Sequence, residues 1–256
     1  MILEKVIPEI NIQNEYKEFV DTYMDEVYAE FKTKIHSMYM CGSIPKGTAT
    51  PFKSDADFTV VCENPADIDY EKLSEIKDRL LKKYPFVTKI DTIFCSIHDV
   101  INKPNEWGFW IKVICICVRG DDIGAKVPPI VISPAFILDL NTDTKEEVER
   151  VRHWLSNADD RPMQTRYIKG YSKRLLRALY SLILEDTGVW KDDMPDIKND
   201  LLKYCGIDSS IIDDLYACYL DSDVSVEQFL RTADEAYRYI EQTLQAMAAS
   251  GRSSER

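Results

Sequence analysis

What the chain lacks narrows its class first. No stretch stays apolar for the roughly 18 residues that a membrane span needs. The longest apolar segment, Ile111–Val118, is short and carries Lys112 inside it, which suits a buried strand. The N-terminus (MILEKVIPEINIQNEY) has acids and no basic-then-apolar layout, so no signal peptide is expected and a cytoplasmic location is the default. Positive charge is scarce: 32 Lys and Arg face 44 Asp and Glu, a net charge of −12. A duplex nucleic-acid binder needs a large basic surface, so nucleic acid is not the expected partner. Cationic small molecules, or phosphates held through metal ions, suit such a chain better. His36, His98 and His153 have no metal-ligand spacing among them. The seven cysteines are odd in number and mostly lie in apolar stretches, which reads as reduced, buried thiols. Cys115 and Cys117 would share one face of a strand, but no second Cys or His pair accompanies them, so zinc is not expected.

What is present is a composition ordinary for a soluble protein, over 256 residues that allow one or two domains. Apolar residues recur at helical spacing over residues 12–35, predicting a long amphipathic helix. Short β-rich runs at Ser37–Cys41, Asp57–Cys62 and Val87–Ile97 predict strands, with a helix at Tyr70–Tyr84 between the second and third. Pro104–Gly108 reads as a loop. Phe109–Arg119 reads as a fourth strand, central because it is apolar on both faces. Helical patterns fill the rest: Thr144–Asn157, Pro162–Asp186, Asp196–Tyr204, Ser209–Leu220 and Val226–Ala248, the last capped by Ser225. The expected architecture is α+β: a mixed β-sheet flanked by helices over residues 1–138, then an α-helical bundle over 139–249 and a disordered tail at 250–256.

Three features carry chemistry. Gly42-Ser43 directly follows a strand, where glycine permits a sharp turn and the following N–H groups and the Ser43 hydroxyl can face an anion. The same dipeptide also serves as an ordinary turn. Ser54-Asp55-Ala56-Asp57 enters the next strand, and at strand period both carboxylates point to one side. Such a pair repels unless a cation lies between, and hard oxygen ligands favour magnesium or manganese; a solvated turn would explain the pair equally. Asp91 places a charge in the apolar run Lys89-Ile90-Asp91-Thr92-Ile93, costly unless it has a partner or lies on an exposed edge.

Taken together, Gly42-Ser43, then Gly47-Thr48, then Ser54-Asp55-x-Asp57 with an apolar continuation, and Asp91 on a later strand, resemble the signature of the DNA polymerase beta-like nucleotidyltransferase superfamily. The resemblance covers residues 37–95. It implies that Gly42 and Ser43, with Lys46 and Ser54 in the same loop, bind the β- and γ-phosphates of a nucleoside triphosphate. It further implies that Asp55, Asp57 and Asp91 ligate two Mg2+ ions, with Mn2+ as a substitute, and that Asp91 sits on the ion nearer the acceptor hydroxyl, where it could also take the hydroxyl proton. The reaction implied is attack on the α-phosphorus with release of pyrophosphate, ATP being the commonest donor.

Independently of that resemblance, Arg161–Arg177 (RPMQTRYIKGYSKRLLR) holds six cations and no acid, and Arg166, Lys169, Lys173 and Arg177 share one helical stripe. A solvated helix face would account for the stripe, but a bound triphosphate needs cations, for which Lys173 and Arg177 are candidates. Trp107, Trp110 and Trp190 read as core residues or as walls of an acceptor pocket. The helical second half resembles that of the antibiotic (aminoglycoside) adenylyltransferases, which implies a small-molecule acceptor of cationic aminoglycoside type and a role in antibiotic resistance. Nucleotidyltransferases of defence or toxin–antitoxin systems, acting on protein, transfer RNA or a second nucleotide, combine similar halves. A nucleotide-binding module without catalysis is the reading from a different class.

Overall fold

The computed structural model describes residues 1–158, 160–220 and 224–253. It divides into two compact units, Glu4–Ile130 and a second that takes Met1–Leu3 together with the chain from Val131 onward. Among the described residues no helix is long and apolar enough to cross a membrane.

The first unit is built on a mixed four-stranded sheet of order β3-β2-β1-β4. Strand β1 (Ile35–Cys41) runs antiparallel to β2 (Ala56–Cys62) and to β4 (Ile116–Gly120), while β2 and β3 (Ile90–Ser96) are parallel. A parallel pair needs a long crossover, and helix α3 (Tyr70–Lys83) supplies it. Asp69 starts that helix by accepting hydrogen bonds from the Glu71 and Lys72 amides. Helix α1 (Asn14–Phe31) precedes the sheet. Its buried stripe of Tyr16, Phe19, Val20, Tyr23, Val27 and Phe31 joins Leu73, Ile76 and Leu80 of α3 in one core with Met38, Met40, Phe58 and Val60 of the sheet. Each large side chain so buried contributes about 1.5–3 kcal/mol. The strand alternation follows: with Phe58, Val60 and Ile90 turned to the helices, Asp57, Thr59 and Asp91 face the other way.

The fourth strand departs from expectation. Only Ile116–Gly120 is extended, and it lies at the sheet edge, not its centre. The preceding residues coil into two wide helical turns, Pro104–Gly108 and Trp110–Ile114. Each is closed by a bond five residues long, Gly108 N to Lys103 O and Cys115 N to Trp110 O, both 3.0 Å. Coiling buries Ile111, Val113, Ile114 and Cys115 without placing them in the sheet, and a short apolar run has the same periodicity either way. Lys112, the charge within that run, donates to the Gly124 and Val127 carbonyls at 3.1 and 2.8 Å. A short helix, α4 (Ile97–Asn102), continues directly from β3, and a one-turn helix, α2 (Ser43–Lys46), continues from β1. Neither was expected. The expected helix over residues 12–35 is shorter at both ends, because Ile35 already belongs to β1.

The second unit is helical: α5 (Pro134–Leu140), α6 (Thr144–Asn157), α7 (Arg161–Leu182), α8 (Leu184–Thr187), α9 (Met194–Tyr204), α10 (Ser209–Leu220) and α11 (Val226–Ser253). It begins a few residues before the expected boundary near 138. Val131 bridges to Ile2, and Ile132 N donates to Met1 O at 2.8 Å, which ties the N-terminus to this unit. Helix α5 buries Phe136 and Ile137 in the same body. The helix expected over Pro162–Asp186 breaks at Ile183 into α7 and α8, and α8 ends at Gly188 in the left-handed conformation. Ser225 caps α11 as expected, accepting from the Gln228 amide at 3.1 Å. That helix continues to Ser253. Of the tail expected at 250–256, residues 254–256 lie outside the described residues.

Candidate active site

The site is assembled at one end of the β1–β2–β3 triplet. Strand β1 ends at Cys41, whose antiparallel partner is Asp57. Gly42 then turns the chain with φ +80° and ψ −155°, a conformation essentially reserved for glycine. A Cβ on Gly42 would lie 2.8 Å from Asp57 Oδ2, so the missing side chain is the space the carboxylate occupies. Helix α2 follows and is stopped by Gly47 at φ +74°. A Cβ there would meet the Asn11 carbonyl at 2.5 Å. The two glycines thus hold the Ser43–Lys46 turn against the strand ends.

The chain returns through a tight turn in which the Ser54 hydroxyl accepts from the Thr50 amide at 2.8 Å and the Ser54 amide donates to Thr50 O at 2.9 Å. Ser54 O in turn accepts from the Thr88 amide and hydroxyl, at 3.1 and 3.0 Å. Ser54 therefore fixes the approach to β2 and to β3 at once, and Asp55 emerges from it exposed. In the parallel β2–β3 ladder Asp57 stands directly opposite Asp91. One oxygen from each of Asp55, Asp57 and Asp91 lies within 4.8 Å of the other two.

Three carboxylates at that spacing repel, each pair by about 1 kcal/mol even at the dielectric constant of water. Lys89 relieves part of this, with Nζ 2.6 Å from each Asp91 oxygen. Lys77, on α3, is half-buried; burial lowers its pKa, an effect the Asp91 carboxylate opposes and Lys89 reinforces. The set suits a hard divalent cation: all donors are oxygens, and their spread is near the about 4.2 Å that opposite ligands of a magnesium ion span. The cleared space at Gly42 keeps one of them at the strand end. Among the described residues, no other group of three or more acidic, Cys or His side chains could hold a metal.

The remaining expected residues fall as follows. Ser43 and Lys46 begin and end α2, beside Gly42. Lys173 and Arg177 lie on α7, in the helical unit, both half-buried. Two cations of the same segment are committed within that unit: Arg174 binds Asp143 at 2.6 Å, and Arg161 donates to Val224 O at 2.8 Å. Trp190 packs edge-on against Tyr180, and Trp110 donates from Nε1 to the Thr59 hydroxyl at 2.9 Å. Thr59 shares its strand face with Asp57, so Trp110 covers the sheet two residues beyond the carboxylates. All seven cysteines are free thiols, and burial pushes Cys62 up to about 11 and Cys95 up to about 12, which makes them poor nucleophiles. Lys89 and Lys77 are the members of the neighbourhood to which sequence reasoning assigned no role. Lys89 was within reach, since it lies two residues before Asp91 and shares its face.

The family model described as a nucleotidyltransferase domain matches residues 24–103, which span β1, the Gly42 turn, all three carboxylates and α4. Over those residues the chain carries a nucleotidyltransferase domain. The match takes in all three carboxylates and less than half of the chain. The spectinomycin adenyltransferase AAD(9) from Enterococcus faecialis, solved with ATP and spectinomycin, superposes with a TM-score of 0.57 over 88% of this chain and 98% of that one. At 14% identity the likeness establishes a shared fold, the mixed sheet with its flanking helices followed by the helical C-terminal region. No curated protein matches the sequence significantly.

Proposed function

We propose that this nucleotidyltransferase moves a nucleoside monophosphate, AMP from ATP, onto a hydroxyl of a small cationic acceptor of the aminoglycoside type. The observation that carries the reading is the convergence of Asp55, Asp57 and Asp91 within 4.8 Å, beside a glycine whose missing side chain leaves room for Asp57. The acceptor hydroxyl attacks the α-phosphorus, the bond from that phosphorus to the bridging oxygen breaks, and pyrophosphate leaves. Asp91 takes the hydroxyl proton and releases it to solvent. Gly42 and Ser43 hold the β- and γ-phosphates, with Lys46 following them on α2. Asp55, Asp57 and Asp91 would hold two magnesium ions, which when bound neutralise the leaving group and acidify the hydroxyl. Lys173 and Arg177 are proposed as the cations of the helical unit that bind phosphate.

Two further facts support the small-molecule acceptor. The structural neighbour was solved with ATP and spectinomycin, and a chain of net charge −12 attracts a cationic acceptor. The test is incubation with ATP, GTP, CTP or UTP labelled at the α-phosphate, against spectinomycin, an aminoglycoside panel, transfer RNA and a cell lysate. Label from ATP on one antibiotic supports the assignment. Label only on protein or RNA overturns the acceptor class.

A further inference from the structure

We propose that Lys89 is a positioning residue for Asp91: its ammonium is the resident counter-ion of the third carboxylate, and an entering divalent cation displaces it. The inference rests on the metal-dependent reading above and adds a competitor to it. Lys89 directly precedes β3, and its carbonyl accepts from the Ala56 amide at 2.9 Å, so its stem is anchored where β2 and β3 begin to pair. Strand alternation puts Lys89 and Asp91 on the same face. The ammonium lies 2.6 Å from both oxygens of Asp91 and so engages the whole carboxylate. The three acids carry three negative charges and Lys89 cancels one, so the converged carboxylates are partly neutralised until a stronger cation arrives.

The contact is built to yield. Both side chains are almost half exposed, 46% for Lys89 and 42% for Asp91, and ion pairs so hydrated are weak. A divalent ion sharing its charge among three carboxylates outcompetes a single ammonium held by one. Lys77 stays behind on α3 as a second, half-buried cation near Asp91, so displacement of Lys89 does not leave the carboxylate without positive charge nearby. Lys89 therefore makes the empty site tolerable and raises the concentration of metal needed to fill it.

The experiment is a Mn2+ titration of the purified full chain without nucleotide, followed by electron paramagnetic resonance, at low and at high ionic strength. The chains compared are wild type, Lys89→Met, Lys89→Arg and Asp57→Asn. Lys89→Met is expected to bind Mn2+ about three- to tenfold more tightly at low salt, the gain shrinking as salt screens the lost charge. Lys89→Arg, which keeps the charge, is expected to stay within about twofold of wild type by the same reasoning. Asp57→Asn is expected to lose the site. Unchanged or weaker binding by Lys89→Met, with binding still abolished by Asp57→Asn, overturns the role of Lys89 and leaves the metal reading standing. Equal binding by wild type and Asp57→Asn overturns the metal reading, and this inference with it.

Discussion

Replacing Gly42 by alanine separates backbone strain from damage to the site. The native φ of +80° and ψ of −155° lie where a side chain costs about 1–3 kcal/mol. For a chain of this size that corresponds to a fall in Tm of about 2–4 °C per kcal/mol. The new methyl would also stand 2.8 Å from Asp57 Oδ2. The strand backbone is held by its ladder, so the carboxylate is what gives way, and a displacement of about 1 Å in a reacting group costs on the order of 10²-fold in rate. Gly47→Ala is the control: at φ +74° and ψ +24° a side chain costs about 1–2 kcal/mol, and its methyl meets the Asn11 carbonyl and not a carboxylate. Both variants are expected to melt earlier. Gly42→Ala alone is expected to lose about 10²-fold or more in kcat/KM for pyrophosphate release, with weakened Mn2+ binding. Wild-type turnover by Gly42→Ala, or equal losses in the two variants, would refute the claim that Gly42 exists to make room for Asp57.

Three other outcomes follow from the same geometry. Without divalent cations, Asp57→Asn should raise Tm slightly, because it removes a like charge worth about 1 kcal/mol; adding Mg2+ should stabilise the wild type and not the variant, as read by calorimetry. Lys173→Ala should raise the KM for ATP at least about threefold without changing Mn2+ affinity, measured by steady-state kinetics; an unchanged KM removes Lys173 from the phosphate site. Asn141→Ala should cost about 1–3 kcal/mol in urea unfolding with kcat unchanged, because its buried amide donates to Ile137 O and to the Ser181 hydroxyl, both at 2.8 Å, far along the chain from the carboxylates.

The carboxylates were legible because their placement is local. Asp55 and Asp57 are spaced by the strand period, and Gly42-Ser43 follows a β-rich run. Asp91 needed one further step, the parallel pairing that sets it opposite Asp57. The helices α6 and α10 are legible for the same reason, with bounds identical to their apolar patterns. The segment from Pro104 to Ile114 was not. Its hydrophobicity reports burial, and burial in a wide turn and burial in a sheet look alike in sequence; only the i to i+5 bonds distinguish them. The attachment of Met1–Leu3 to the helical unit is equally hidden, because the bridge from Ile2 to Val131 joins residues far apart in the chain. The spacing of Lys89 from Asp91 was visible in the sequence, but a charged pair beside an edge strand reads equally as solvated surface. The distance to both Asp91 oxygens is what gives it a role.

The central claim, that Asp55, Asp57 and Asp91 hold metal for nucleotidyl transfer, is tested most directly by pyrophosphate release from ATP with spectinomycin or an aminoglycoside as acceptor. Wild type and Asp57→Ala are compared, each with Mg2+ and with chelator. Release by the wild type in Mg2+ alone, with adenylylated acceptor as the second product, is the predicted result. Equal release by Asp57→Ala, or release that persists in chelator, would contradict it.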